Sequence, residues 1–211
     1  MWNDLSKNWQ AAFEEAWAAF RNGCIPIGAA LSDENGELIL RDRNRNNDKD
    51  PVNKRTAHAE SCLLNRLDTV KFDPKKVTLY TTMEPCPMCM GTIIMSNIKH
   101  IKTAALDPYC GMLHLLETEP YYKSKQAEYF YDGKEDEKEI VQLAMQTYYE
   151  LRCISLGSGT CVYDRFREQN EKAVTIAEKL YADKMLDRFV SEGREMGYVY
   201  DFILSMNDKQ Q

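Results

Sequence analysis

The segment Thr56-Ala57-His58-Ala59-Glu60 is followed, 25 positions after Glu60, by Pro85-Cys86-Pro87-Met88-Cys89. No other feature constrains the fold of this chain as strongly. Together the two segments offer one imidazole, two thiolates and a carboxylate. Three soft or borderline ligands suit Zn²⁺, and three in place of four leave a coordination position open for water. Residues two apart on a helix point about 200° apart, so His58 and Glu60 cannot share a helix face. At a first helical turn, His58 can ligate while Glu60 approaches the metal from another side. Cys86 and Cys89, three apart, converge at a helix start, where the dipole and the free N–H groups stabilise thiolates. The spacing therefore predicts two helix N-termini meeting at one zinc ion.

An open position and a spare carboxylate suit hydrolysis. Zinc lowers the pKa of bound water towards neutrality, and one positioned carboxyl moves the proton, acting first as base and then as acid. In this reading His58, Cys86 and Cys89 hold one Zn²⁺ per chain and Glu60 is the catalytic proton carrier. Other readings compete with it. A lone Cys-x-x-Cys also serves as a redox pair or as half of a structural zinc site. A structural zinc needs a fourth protein ligand, for which His100, His114 and Cys110 are available. Such a non-catalytic, zinc-stapled interaction protein would leave Glu60 without a task.

Along the chain, Trp9, Phe13, Trp17 and Phe20 recur at helical steps over residues 5–20, and Gly23 ends that helix. Residues 25–32 read as a buried strand, Asp33-Glu34-Asn35-Gly36 as a turn and residues 37–40 as the start of a returning strand. Residues 41–56 form a polar loop. Val77 to Thr82 reads as a central strand, residues 87–96 as a helix packing through Met88, Ile93, Ile94 and Met95, and residues 98–106 as another strand. An aromatic stretch, Tyr121 to Tyr131, leads to a helix over residues 138–152. Ser155 to Thr160 is the best linker candidate, and residues 161–206 have helical periodicity. Alternating strands and helices imply a layered α/β fold with the zinc site at a loop-to-helix edge.

Length and charge narrow the partners. At 211 residues the chain makes one medium domain, or a domain with an extension. Residues 1–116 carry 14 acidic and 14 basic residues, whereas residues 117–211 carry 19 and 13, which accounts for the net charge of −6. An acidic second half argues against a polyanion as the main ligand. Arg41, Arg43, Arg45, Lys49, Lys54 and Arg55 are interleaved with acids, as on a solvated loop, and phosphate binding is the alternative reading. No apolar run spans a bilayer, and the first residues lack the pattern of a signal peptide. Seven cysteines without disulfide-framework spacing point to a reduced cytoplasm.

The motif pair, together with Ile25-Pro26-Ile27-Gly28-Ala29, Asp42-Arg43-Asn44-Arg45 and Leu79 to Gly91, resembles the cytidine deaminase-like superfamily. The likeness is to the branch with tRNA adenosine, guanine and cytosine deaminases, and runs from about Ile25 to Met112, roughly half the chain. It implies a three-layer α/β/α fold with a mixed five-stranded sheet, spanning residues 1–155, with residues 156–211 as a helical C-terminal extension. It implies a zinc-dependent aminohydrolase and a homodimer. It also implies substrate contacts from Asn44 (with Asn46 and Asn47 as alternatives), the amide of Ala59, the carbonyl of Pro85 and the side chain of Ile27. Tyr109, in a segment bordering the substrate mouth in such enzymes, is placed to stack on a base. Relatives acting on tRNA end in a basic helix, and this chain has an acidic tail. The substrate expected is therefore a free nucleobase or nucleoside, with tRNA or single-stranded nucleic acid as the alternative.

Overall fold

The computed structural model describes residues 1–50 and 53–208. After a short 3-10 turn at Trp2–Asp4, α1 (Lys7–Arg21) begins where the Ser6 hydroxyl accepts from the Trp9 N–H at 3.4 Å. It buries Trp9, Phe13, Trp17 and Phe20. It ends at Gly23, whose φ of +72° suits a residue without Cβ, and the Cys24 N–H returns to the Ala19 carbonyl at 2.9 Å.

The first strand is shorter than the sequence suggests. β1 is Gly28–Ser32, and Ile25, Pro26 and Ile27 lie outside it. Pro26 has no N–H to give a ladder, its carbonyl is taken by Gln142 Nε2 at 2.9 Å, and the Ile27 N–H folds back onto the Ile25 carbonyl. β2 (Leu38–Arg43) runs antiparallel to β1 and extends into the stretch expected as a loop. β3 (Thr78–Thr81) is central, as its β-branched composition indicates, and is antiparallel to β1. β4 (His100–Thr103) and β5 (Glu128–Tyr131) continue the sheet in parallel. The order is β2-β1-β3-β4-β5, a mixed sheet.

Between β2 and β3 lies α2 (Ala59–Leu64), and between β3 and β4 lies α3 (Pro87–Met95). α4 (Leu115–Thr118) and α5 (Pro120–Ser124) lead into β5. After the sheet come α6 (Glu137–Ser155), α7 (Cys161–Gln169), α8 (Glu171–Ala182), α9 (Met185–Ser191) and α10 (Met196–Asp208). On α3 it is Met90, Ile93 and Ile94 that pack inward, whereas Met95 points to solvent. Among the described residues no helix is long and apolar enough to cross a membrane.

Strand alternation divides the core into two layers. Ala30 and Tyr80 face α1 and the C-terminal helices, in one cluster with Phe13, Trp17, Tyr148, Leu180, Phe189 and Ile203. Ala29, Leu31, Leu79 and Ile101 face the other side, with Leu63, Met90 and Ile93. The result is a three-layer α/β/α sandwich with a helical C-terminal part. The last helices share the core of α1, and Trp17 Nε1 donates to the Arg194 carbonyl at 2.8 Å.

α1 crosses β1 in direct backbone contact at Gly28. A Cβ there would lie 2.1 Å from the Ala12 carbonyl oxygen and 2.4 Å from the Ala16 nitrogen. Neither backbone group can move aside without lifting the helix. Gly28→Ala is therefore expected to cost about 3 kcal/mol or more, at or above the usual range for overpacking. A fall in the denaturant midpoint at unchanged slope is the readout, and an unchanged midpoint would show that α1 shifts freely.

Candidate active site

β3 and β4 both point their carboxyl ends at the same corner of the sheet, and the chemistry collects there. His58 caps α2 in extended conformation (φ −82°, ψ 156°), and Glu60 follows in the first turn. Leaving β3, the chain places Cys86 at the cap of α3, also extended (φ −71°, ψ 173°), with Pro87 as the first helical residue. The two helix starts meet as the spacing predicts. Cys86 Sγ and Cys89 Sγ lie 3.5 and 3.6 Å from His58 Nδ1, and all three donor atoms lie within 4.8 Å of one another. A tetrahedral Zn²⁺ with standard Zn–S and Zn–N bonds separates such S and N donors by ~3.6 Å. The donor set and its spacing thus fit zinc, with Nδ1 as the imidazole donor.

Among the described residues the cluster contains no fourth protein donor. His100 Nδ1 pairs with Glu128 at 3.0 Å, and Cys110 Sγ with Asp107 Oδ2 at 3.1 Å. Glu60 is 3 % exposed. Its Oε2 lies 3.4 Å from Cys89 Sγ, and its Oε1 lies 3.3 Å from the Thr81 hydroxyl, which also donates to the Met83 carbonyl at 2.9 Å. Burial pushes the Glu60 carboxyl above its ordinary range. The hydrogen bond from Cys89, with His58 and the Cys89 amide, draws the Cys86 thiol down to about 4. The same hydrogen bond and burial push Cys89 up, and Cys86 raises His58. The cluster therefore holds one ready thiolate and a thiol whose proton a metal would displace.

The other expected residues surround this corner. Asn44 is fully buried, and its Oδ1 accepts from the Asn46 N–H at 2.9 Å. Its Nδ2 donates to nothing among the described residues. Asn46 Oδ1 instead holds the Ile25 N–H at 3.1 Å, and Asn47 Nδ2 holds the Gly23 carbonyl at 3.3 Å. Ala59, the first residue of α2, has no intrahelical acceptor for its N–H. The Pro85 carbonyl accepts from the Met112 N–H at 3.1 Å, which leaves one lone pair. Ile27 packs between two hydrophobic clusters. Tyr109 is exposed, with its phenol beside the Cys161 thiol of α7. In the basic loop Arg43 pairs with Asp48 and Arg45 with Asp42 and Asp48, and Arg41 reaches Glu14 and Glu15 of α1, whereas Lys49, Lys54 and Arg55 make no ion pair among the described residues.

Several residues escaped the sequence reading. Glu84 accepts the N–H groups of Asp107 (3.0 Å) and Leu113 (2.9 Å), buckling the loop after β4 to the Pro85 turn. A Cβ on Gly111 would sit 2.2 Å from that carboxylate. On α6, burial first and the charge of Asp107 second push the Glu150 carboxyl from 4.5 up to about 7. The folded value exceeds the unfolded one, so the stability associated with protonated Glu150 is full below about pH 4.5 and lost as pH rises through about 7. Glu150→Gln removes that loss. The variant should be more stable than the parent at pH 8 by up to about 3 kcal/mol, with a much smaller difference at pH 5. Equal differences in melting temperature at both pH values would contradict a buried-charge origin.

The sequence model of the "Cytidine and deoxycytidylate deaminase zinc-binding region" matches residues 3–105. The tRNA-specific adenosine deaminase of Bacillus subtilis is 35% identical over 118 residues, covering 52% of this chain and 70% of that protein. A probable cytosine deaminase of Schizosaccharomyces pombe is 38% identical over 79 residues, covering 37% of this chain and 46% of that one. A structure solved in complex with 2,6-diaminopurine superposes with a TM-score of 0.51 at 20% identity, over 68% of this chain and 80% of its own, which bears on the fold alone. Since the identity to a deaminase extends well beyond the metal-binding turns, over more than two thirds of that protein, the chain belongs to the cytidine deaminase-like superfamily.

Proposed function

We propose that the chain hydrolytically deaminates a free nucleobase or nucleoside and releases ammonia. The observation that carries the reaction is the position of Glu60: a buried carboxyl 3.4 Å from the sulfur of Cys89, on a cluster that already has three donors. His58, Cys86 and Cys89 would hold Zn²⁺, which supplies an activated water when bound. Glu60 takes the proton of the attacking water and passes it to a ring nitrogen; it then carries a proton to the departing amine.

Asn44 Nδ2, buried without an acceptor, donates to a ring carbonyl or nitrogen, and the Ala59 N–H does the same from the start of α2. The Pro85 carbonyl accepts from the exocyclic amine with its remaining lone pair. Ile27 forms the wall, and Tyr109 stands at the mouth. A small substrate is supported by the acidic second half of the chain and by the pairing of Arg41, Arg43 and Arg45 with acidic side chains, which leaves these three guanidiniums less free for phosphodiesters.

A second reading, deamination of tRNA or single-stranded nucleic acid, is favoured by the likeness to the Bacillus subtilis enzyme. One experiment separates the two. Zinc-loaded protein is assayed for ammonia release from cytosine, cytidine, adenine, adenosine and guanine, and from an RNA stem-loop at low and high salt. Release from a base or nucleoside, insensitive to salt, is expected. Silence across that panel, with stem-loop activity falling steeply with salt, would establish the second reading. The zinc-staple alternative requires a fourth protein ligand, which X-ray absorption at the zinc edge would detect.

A further inference from the structure

Three of the four polar groups of Asn44 are engaged by the protein itself. Its N–H donates to the Ile27 carbonyl at 2.9 Å, its carbonyl accepts from Arg43 Nη1 at 3.1 Å, and its Oδ1 accepts from the Asn46 N–H at 2.9 Å. Only Nδ2 is left, buried and without an acceptor. An amide held on three sides presents the fourth group in one direction. Whatever fixes the loop therefore fixes that direction.

The loop is fixed by charges gathered on Asp42, next to the last residue of β2. Asp42 pairs in register with Ala29, and facing residues of neighbouring strands share a sheet face, so Asp42 lies on the α2 side. Its carboxylate is buried. Oδ1 accepts the Arg43 N–H at 2.8 Å and both Nε and Nη2 of Arg45, at 2.9 and 2.8 Å. Oδ2 accepts from Arg66 Nη1 at 2.8 Å. Arg45 follows Asn44 in the loop. Arg66 stands just past the end of α2, the helix that opens with the Ala59 amide and carries Glu60. A backbone bond runs alongside, from the Arg45 N–H to the Ala57 carbonyl at 2.8 Å, one residue before His58. Asp48 closes the far side, accepting from Arg43 through both oxygens at 3.1 and 2.7 Å. One buried carboxylate thus joins the Asn44 loop to α2.

Such a carboxylate contributes little net stability, because its loss of hydration offsets the attraction of its partners, and apolar residues of similar volume hold a fold as well. What the charges add is direction, since a forked guanidinium fixes angle as well as distance. We propose that Asp42 is a positioning residue for substrate binding: through Arg45 and Arg66 it sets the Asn44 amide relative to the Ala59 N–H and to Glu60. The inference rests on the deaminase reading above, in which Asn44 Nδ2 and the Ala59 N–H hold the ring, and identifies what aligns the two.

The test measures kcat, KM, zinc content and melting temperature of zinc-loaded full-length protein on its preferred base or nucleoside. An interaction made equally in the ground and transition states appears in KM. Asp42→Asn should therefore raise KM about 10-fold or more, with kcat within about threefold of the parent and zinc content unchanged. Asn44→Ala should raise KM at least as much. In that background Asp42→Asn should add less than about twofold, because a residue that acts through another has nothing left to act on. The two arginines separate geometry from charge. Arg45 meets Asp42 with two nitrogens and Arg66 with one, so Arg66→Lys should keep the parent KM and Arg45→Lys should not. Arg66→Ala, at a largely exposed side chain, should raise KM by about threefold, and it keeps the test decisive if Asp42→Asn does not fold. An unchanged KM in Arg66→Ala and Asp42→Asn would overturn the positioning role. So would effects of Asp42→Asn and Asn44→Ala that multiply, or a loss confined to kcat and zinc content, which is general damage to the site. A parent silent on every base and nucleoside would overturn the reading beneath it, and this assignment with it.

Discussion

Glu60→Gln should lower kcat by about 10²–10⁴-fold, the range associated with a positioned acid–base group, while zinc content stays near one ion per chain. The substitution is nearly isosteric. It keeps a side chain able to meet Thr81 Oγ1 and Cys89 Sγ in the buried pocket where Glu60 now lies, but the amide cannot shuttle a proton at neutral pH. It also separates two roles that the short Cys89–Glu60 distance leaves adjacent. If Glu60 moves protons, activity collapses and metal remains; if Glu60 ligates the ion, metal is lost as well. Ammonia release and elemental analysis on the same preparation decide. Turnover within tenfold of the parent would remove Glu60 from the mechanism.

The parts of the fold legible in the sequence are those set by local chemistry. His58 and Cys86 occupy helix caps because the adjoining residues, Ala59-Glu60 and Pro87-Met88, suit first turns. β3 was legible because Thr78-Leu79-Tyr80-Thr81 suits a strand packed on both faces. β5 was not, because Glu128-Tyr129-Phe130-Tyr131 is a short edge strand with little burial and no alternation. β1 begins later than the apolar run suggests because Ile27 packs between two hydrophobic clusters, and Pro26 is held by Gln142 from 116 positions away. A similar distance in sequence hides Val162 and Tyr163. Nothing in their local sequence marks them as neighbours of the zinc motif; only the packing of α6 and α7 across the ends of β3 and β4 brings them there. Among the three asparagines of this loop, the resemblance favours Asn44, and the fold sets it apart physically by leaving its buried Nδ2 without an acceptor.

Cys89→Ser should abolish activity, weaken zinc binding by at least about 100-fold, and make the chain's stability insensitive to added zinc. Cys89 is wholly buried, and its sulfur touches His58, Glu60 and the Ser61 hydroxyl. A serine there presents a harder donor that does not deprotonate at neutral pH and lies farther from the metal position. In the parent the three donors converge only in the folded state, where the two helix starts meet, so zinc held there would favour that state. At a free zinc concentration about 1,000 times Kd it should stabilise the fold by about 4 kcal/mol, and a chelator should remove that increment reversibly. Binding must also release protons, because zinc requires both sulfurs as thiolates and the imidazole neutral. Cys86 is drawn down towards the thiolate by its neighbours, whereas Cys89 holds its proton and His58 is raised. Cys89 is thus a source of released protons, and apparent zinc affinity should fall as pH is lowered. A zinc titration in weakly buffered indicator dye measures the release, and melting with and without chelator measures the stabilisation. Equal melting temperatures in the two conditions would mean that the three donors do not hold the ion, and a proton release unaffected by Cys89→Ser would mean that Cys89 is not among them.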